Sequence, residues 1–124
     1  MRLVNRTLIM AVLLLTSSVA LADPEWSGRN RIETMLILDG TNIVRLEITN
    51  SITNPAGCTN TTYLDYQLDS DDRSETQQKL LLDALTVALI MSQPIEFLID
   101  DVNCSTVETS GSVRIAVGLQ LHRT

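Results

Sequence analysis

The sequence predicts a small, mostly β domain with one helix, its elements in the order β-β-β-α-β-β and held by one disulfide. Three observations carry this. Several short runs alternate apolar and polar residues, the period-two mark of a strand with one buried face. One stretch only, residues 74–93 (SETQQKLLLDALTVALIMSQ), is long and periodic enough for a confident helix. The chain holds two cysteines, Cys58 and Cys104, and no other thiol.

Residues 1–22 are expected to be removed before folding. Arg2 and Arg6 give a positive start, residues 8–15 (LIMAVLLL) an apolar run, and Ala20-Leu21-Ala22 a small-x-small cleavage site. That is the layout of a secretory signal peptide, cut before Asp23. Its apolar run is shorter than the ~20 residues a bilayer span needs. No cysteine stands at the cleavage site to carry a lipid anchor. Residues 23–124 then form a single domain of about 100 residues, enough for one real core.

The elements follow in order. Residues 23–31 (DPEWSGRNR) are a polar lead-in with the sole tryptophan, Trp26. Residues 32–38 form a first strand, and Asp39-Gly40 is a hairpin signal. Residues 43–49 form a second, with Val44, Leu46 and Ile48 inward against Arg45 and Glu47. Residues 50–62 (NSITNPAGCTNTT), dense in Asn, Pro, Gly and Thr, are the longest loop. Residues 63–68 make a third strand, Tyr63 and Asp65 on one side, Leu64, Tyr66 and Leu68 on the other. Asp72 with Glu75, or Ser74 with Gln77, offers a capping box for the helix, and Pro94 ends it. Residues 95–100 form a fourth strand with Ile95, Phe97 and Ile99 inward. Residues 101–112 turn and present Cys104. Residues 113–121 close the fold as a fifth strand with Val113, Ile115, Val117, Leu119 and Leu121 on one face.

That order is the chain order of the OB-fold, a five-stranded barrel with a helix closing one end. A two-layer α+β sandwich has the same string and is the alternative. The barrel is preferred because one helix cannot cover both faces of an open five-stranded sheet.

Placed on a wheel, the helix carries more apolar surface than one small sheet should cover. Its polar side chains fill an arc of roughly 100°, whereas the apolar ones spread over roughly 220°. Leu82 and Leu89 fall at the rim of that apolar arc and are the expected contacts of a homo-oligomer. Leu81 and Leu85 lie nearer its middle.

Charge and chemistry narrow the function classes. Loss of Arg2 and Arg6 leaves seven basic against fifteen acidic side chains, moving the net charge from −6 to −8. Such a surface repels nucleic acid and anionic lipid, and no membrane insertion is expected once the leader is cut. In an exported chain the two cysteines read as one disulfide, Cys58–Cys104, worth about 4 kcal/mol in the chain-entropy model for a loop of about 46 residues. The one histidine, His122, stands near the end of the chain with no triad context. Asp71-Asp72 and Asp100-Asp101 are neighbours at element ends, the pattern of solvated turn acids. Counting from Asp69, the calcium-loop positions that require Gly and Glu hold Ser74 and Leu80. The expectation is a protein that is not an enzyme, without cofactor or metal. The triplets at Asn60 and Asn103 match the glycosylation pattern only weakly.

Four aromatics, Trp26, Tyr63, Tyr66 and Phe97, are too few for a base-stacking groove. Sugar binding needs fewer, and Trp26 and Tyr63 are the candidate ligand-binding residues. Plain packing of both rings is the competing reading.

Glu25-Trp26-Ser27-Gly28 after the leader, Asn54-Pro55-Ala56-Gly57-Cys58 before the third strand, a Leu/Ala-rich helix and a second Cys before a closing strand form a pattern. In that order and spacing they resemble small exported bacterial proteins similar to the binding subunits of AB5 toxins of the subtilase-cytotoxin B kind. The resemblance implies an OB-fold, a ring-shaped oligomer with helices around its pore, and recognition of cell-surface glycans. It carries over no sugar-contacting residue. Two functions are therefore expected in competition. One is an exported, periplasmic or secreted, oligomeric module that binds a glycan or protein ligand. The other is a periplasmic accessory or inhibitor protein that docks a protein partner.

Overall fold

The computed structural model describes residues 24–109 and 111–123. The expected signal peptide, residues 1–22, lies outside the described residues. Among those described, the chain is mostly β with one α-helix. In order come β1 (Glu25–Trp26), β2 (Ile32–Leu38), β3 (Ile43–Ile48), β4 (Asn60–Gln67), a 3-10 turn (Ser70–Asp72), α1 (Glu75–Met91), β5 (Ile95–Ser105) and β6 (Val113–Leu121). They form one six-stranded sheet in the order β1-β5-β6-β4-β3-β2. Every pairing is antiparallel except β4 with β6.

The alternation read from the sequence sets the inner face. Val44 and Leu46 of β3, Leu64 and Tyr66 of β4, and Ile95, Phe97 and Ile99 of β5 are buried in one cluster. Tyr66 and Phe97 meet edge to face, centroids 6.2 Å apart, a favoured aromatic arrangement. The helix adds Leu85 and Ala88, both fully buried, and lays Leu81, Leu82 and Leu89 against the cluster's margin.

Helix α1 begins and ends for local reasons. The Ser74 hydroxyl accepts from the Gln77 amide (3.2 Å), and the Gln77 side chain accepts from the Ser74 amide (2.9 Å). This reciprocal box satisfies two donors that the first turn cannot. Ser92 ends the helix in the left-handed conformation (φ 48°), and its carbonyl accepts from Arg31 Nε at 2.9 Å. Gln93 and the buried Pro94 follow.

Four expectations need correction. The lead-in contributes a sixth strand: Glu25 and Trp26 pair with Ile99 and Leu98 of β5. The fourth predicted strand runs on to Ser105, so Cys104 sits in a ladder opposite Arg114 and not in a turn. In β6 the phase changes. Ala116 joins the core while Ile115 faces outward, and a register shift around Val117 returns Leu119 to the core side. A bulge resets which residues face inward, and period-two reading assumes none.

The fourth correction is that the sheet is not a closed barrel, since its end strands β1 and β2 do not pair with each other. They are successive pieces of one chain that leaves β5 after Trp26 and swings across to β3. Between them Asn30 exchanges two backbone hydrogen bonds with Ile95, both 2.8 Å. Its side-chain oxygen accepts from the Asn50 amide at 2.9 Å. One residue bridges a gap where a full ladder would be needed to close it.

Cys58 and Cys104 are joined, their Cα atoms 5.8 Å apart. The bond ties the long loop before β4 to the far end of β5. Beside it the buried Arg114 donates to the carbonyls of Ile52 (3.1 Å) and Thr61 (2.8 Å), holding the same loop from within.

Candidate functional site

The outward side chains of β3 and β4 come together through register. Arg45 stands opposite Asp65, Glu47 opposite Tyr63, and Ile43 opposite Gln67. Asp65 is 1% exposed, and a carboxylate so placed must be paired. Arg45 pairs it with Nε on Oδ1 at 2.7 Å and Nη2 on Oδ2 at 2.8 Å. This hydrogen bonding holds the guanidinium above its usual pKa despite its desolvation. The remaining donors reach the segment after β5: Nη2 to the Val107 carbonyl (2.6 Å) and Nη1 to that of Glu108 (3.1 Å). The pair therefore fixes the connection between β5 and β6 as a wall over the sheet.

Under that wall lies a cleft of about 220 Å³, lined among others by Ile43, Asp65, Gln67, Ser105, Val107 and Ile115. The Ser105 hydroxyl beside it is buried without a hydrogen-bond partner. Tyr63, 37% exposed, stands two residues from Asp65 on the same face of β4. An internally neutralised ion pair, an amide side chain, an apolar floor and an aromatic rim suit a neutral polar molecule with an apolar side. Nothing in the sequence singled out Arg45, Asp65 or Ser105. Their outward phase was legible, but which residue faces which follows only from strand register.

The two predicted ligand residues are not brought together. Trp26, 49% exposed, lies on edge strand β1. Tyr63 is on β4, three strand spacings away across the sheet, on the order of 14 Å. Tyr63 belongs to the cleft face, and Trp26 lies outside that cluster.

Of the predicted oligomer contacts, Leu82 and Leu89 are half-buried against the core. The helix exposes other residues more: Leu80 at 63%, Val87 at 49%, Ile90 at 72% and Met91 at 66%. The apolar surplus read from the wheel therefore remains in a single copy of the chain, most of it on the flank away from Leu82 and Leu89. Sequence reasoning cannot tell the two flanks apart, because the sheet decides which one it covers.

His122 is not solvated as a terminal residue would be. Its Nε2 lies 2.9 Å from Glu96 Oε2 on the neighbouring strand, and among the described residues no hydroxyl or thiol is hydrogen-bonded to the ring. Among the described residues no group of three or more His, Cys, Asp or Glu is placed to hold a metal ion. No helix among them is long and apolar enough to cross a membrane. No family model, curated protein or solved structure matches the chain.

Proposed function

We propose that this is an exported, non-enzymatic binding module of OB-fold-like build, oligomeric in its working form, with its ligand held in the cleft beside Arg45 and Asp65. The fold reading is supported by the strand order, with its single parallel pair of β4 and β6 and the Asn30 bridge between the end strands. In the OB-fold, the second and third strands and the loop between the last two make the usual ligand face. The corresponding elements here are β3, β4 and the connection from β5 to β6, and they line the cleft. The formed disulfide suits an oxidising, exported compartment.

The observation that carries the reading is the neutralised pair at the cleft wall. It leaves the cleft wall without net charge, with Gln67 and the unpartnered Ser105 hydroxyl beside it as hydrogen-bonding groups for a neutral glycan, and the resemblance to subtilase-cytotoxin B-like subunits implies glycans as the ligand class. A glycan array probed with the purified protein tests it. Binding of defined glycans that weakens with Tyr63→Ala and Gln67→Ala is expected. An empty array would sink the glycan reading.

A second reading, an accessory or inhibitor protein with a protein partner, draws on a different surface. Strand β2 is a sheet edge and exposes Leu36 (58%) and Ile37 (52%). Such an edge can accept an added strand. Capture of one specific partner, abolished by Leu36→Lys and independent of Tyr63, would favour it.

A further inference from the structure

On α1, Leu80, Ala84, Val87 and Met91 recur at intervals of four, three and four residues, which at about 100° per residue keeps them within an arc of about 60°. This row is continuous with the most exposed apolar surface of the helix, and at each end a cleft opens beside it. One is lined by Arg73, Gln77, Leu80 and Leu81, about 320 Å³. The other is lined by Val87, Met91, Gln93 and Arg123, about 590 Å³. The row has a centre of symmetry in sequence: reversing its direction exchanges Leu80 with Met91 and Ala84 with Val87.

The charges at its ends differ in sign. Around the N-terminal end, Asp71 and Asp72 are exposed. Arg73, beside them, keeps its charge but is half-buried and held against the backbone carbonyls of Leu68 and Val117, and both Glu75 and Lys79 point well away from the row by the wheel. Around the C-terminal end stand the exposed Arg31, bonded to the Ser92 carbonyl, and Arg123. Glu96, two residues after Pro94, is engaged by His122. The helix dipole has the matching sense, positive where the acids sit and negative where the arginines sit.

From these we infer that the occupant of this surface is a second copy of the same chain, its α1 antiparallel to the first about a two-fold axis between Ala84 and Val87. Met91 of the second copy then enters the cleft beside Leu80, and Leu80 of the second copy enters the cleft beside Met91. Each acidic end meets a basic end, twice, as an isologous contact requires. A parallel arrangement would set acid against acid and arginine against arginine. The inference deepens the oligomeric part of the proposed function and rests on that reading, yet it specifies a two-fold pair and not the helix-lined ring that the resemblance implies.

Light scattering and disulfide trapping test it on the purified protein. The expected results are a mass of twice the chain, and a monomer–dimer midpoint that Met91→Glu or Val87→Glu moves to at least about tenfold higher concentration. Leu36→Glu, on the edge of β2, is expected to leave it unmoved. Under mild oxidation, Leu80→Cys mixed with Met91→Cys should cross-link as a heterodimer, while neither variant links to itself. A monomer at every concentration, self-linking of Leu80→Cys, or dissociation by Leu36→Glu alone would overturn the inference. Ligand binding is a separate readout. A monomer that still retains glycan overturns the pairing and spares the ligand reading, and a dimer on an empty array does the reverse.

Discussion

Arg45 and Asp65 face each other across β3 and β4, and the guanidinium grips both carboxylate oxygens, at 2.7 and 2.8 Å. With side-chain exposures of 10% and 1%, solvent screens the pair little. Loss of the cation leaves a charged group buried alone. Arg45→Met is therefore expected to destabilise the protein by about 3–5 kcal/mol, whereas Arg45→Met combined with Asp65→Leu costs far less than the sum of the single changes. Urea unfolding of the four proteins in a cycle checks this. Faster amide exchange at Val107 and Glu108 should accompany the single variant.

Tyr66 sets a limit on alkaline stability. Its ring is fully buried and its hydroxyl has no hydrogen-bond partner. Burial raises its pKa above 10, opposed only in part by Arg73, whose guanidinium carbon lies 6.0 Å from the ring centre. In the folded state the phenol then keeps a proton that the unfolded chain releases. Stability is complete below the unfolded value of about 10 and falls as pH rises through and beyond it. Tyr66→Phe should remove most of this slope between pH 9 and 11, at about 1 kcal/mol or less of change at neutral pH. Urea midpoints at stepped pH measure both.

Reduction tests the bond between Cys58 and Cys104. With a sequence separation of 46 between its ends, its removal by Cys58→Ala with Cys104→Ala should lower the unfolding free energy by about 4 kcal/mol. A reductant should shift the wild-type denaturation midpoint by the same amount and leave the double variant unmoved.

Arg114 is 2% exposed, and among the described residues its bonds run to backbone carbonyls and no carboxylate. Burial lowers its pKa. Replacement by Met removes a desolvated cation along with the bonds to Ile52 and Thr61. Arg114→Met is expected to loosen the loop ahead of β4, seen as faster amide exchange and proteolysis there, with a smaller loss of global stability than Arg45→Met.

Ser92 holds a left-handed conformation at the end of α1 (φ 48°), which an L side chain adopts at a penalty and glycine does not. Ser92→Gly should raise the thermal midpoint, by about 0.5–1 kcal/mol of stability. An unchanged or lower midpoint would contradict this.

The sequence by itself determined the helix, the main strands apart from β1 and the far end of β5, and the inner faces of β3, β4 and the first part of β5. Alternation at Val44, Leu46, Leu64, Tyr66, Ile95, Phe97 and Ile99 placed each of them correctly, because strand geometry leaves two sides and burial selects one. Ser74 with Gln77 placed the helix start, since capping is chemistry between near neighbours, and the pair of cysteines placed the disulfide. Tertiary structure decided the rest. Local periodicity does not contain strand register, so the meeting of Arg45 with Asp65 and the phase change around Val117 were illegible. Nor does it say which flank of a two-faced helix a sheet will cover. That choice left Leu80, Val87 and Met91 in water while Leu82 and Leu89 were drawn toward the core.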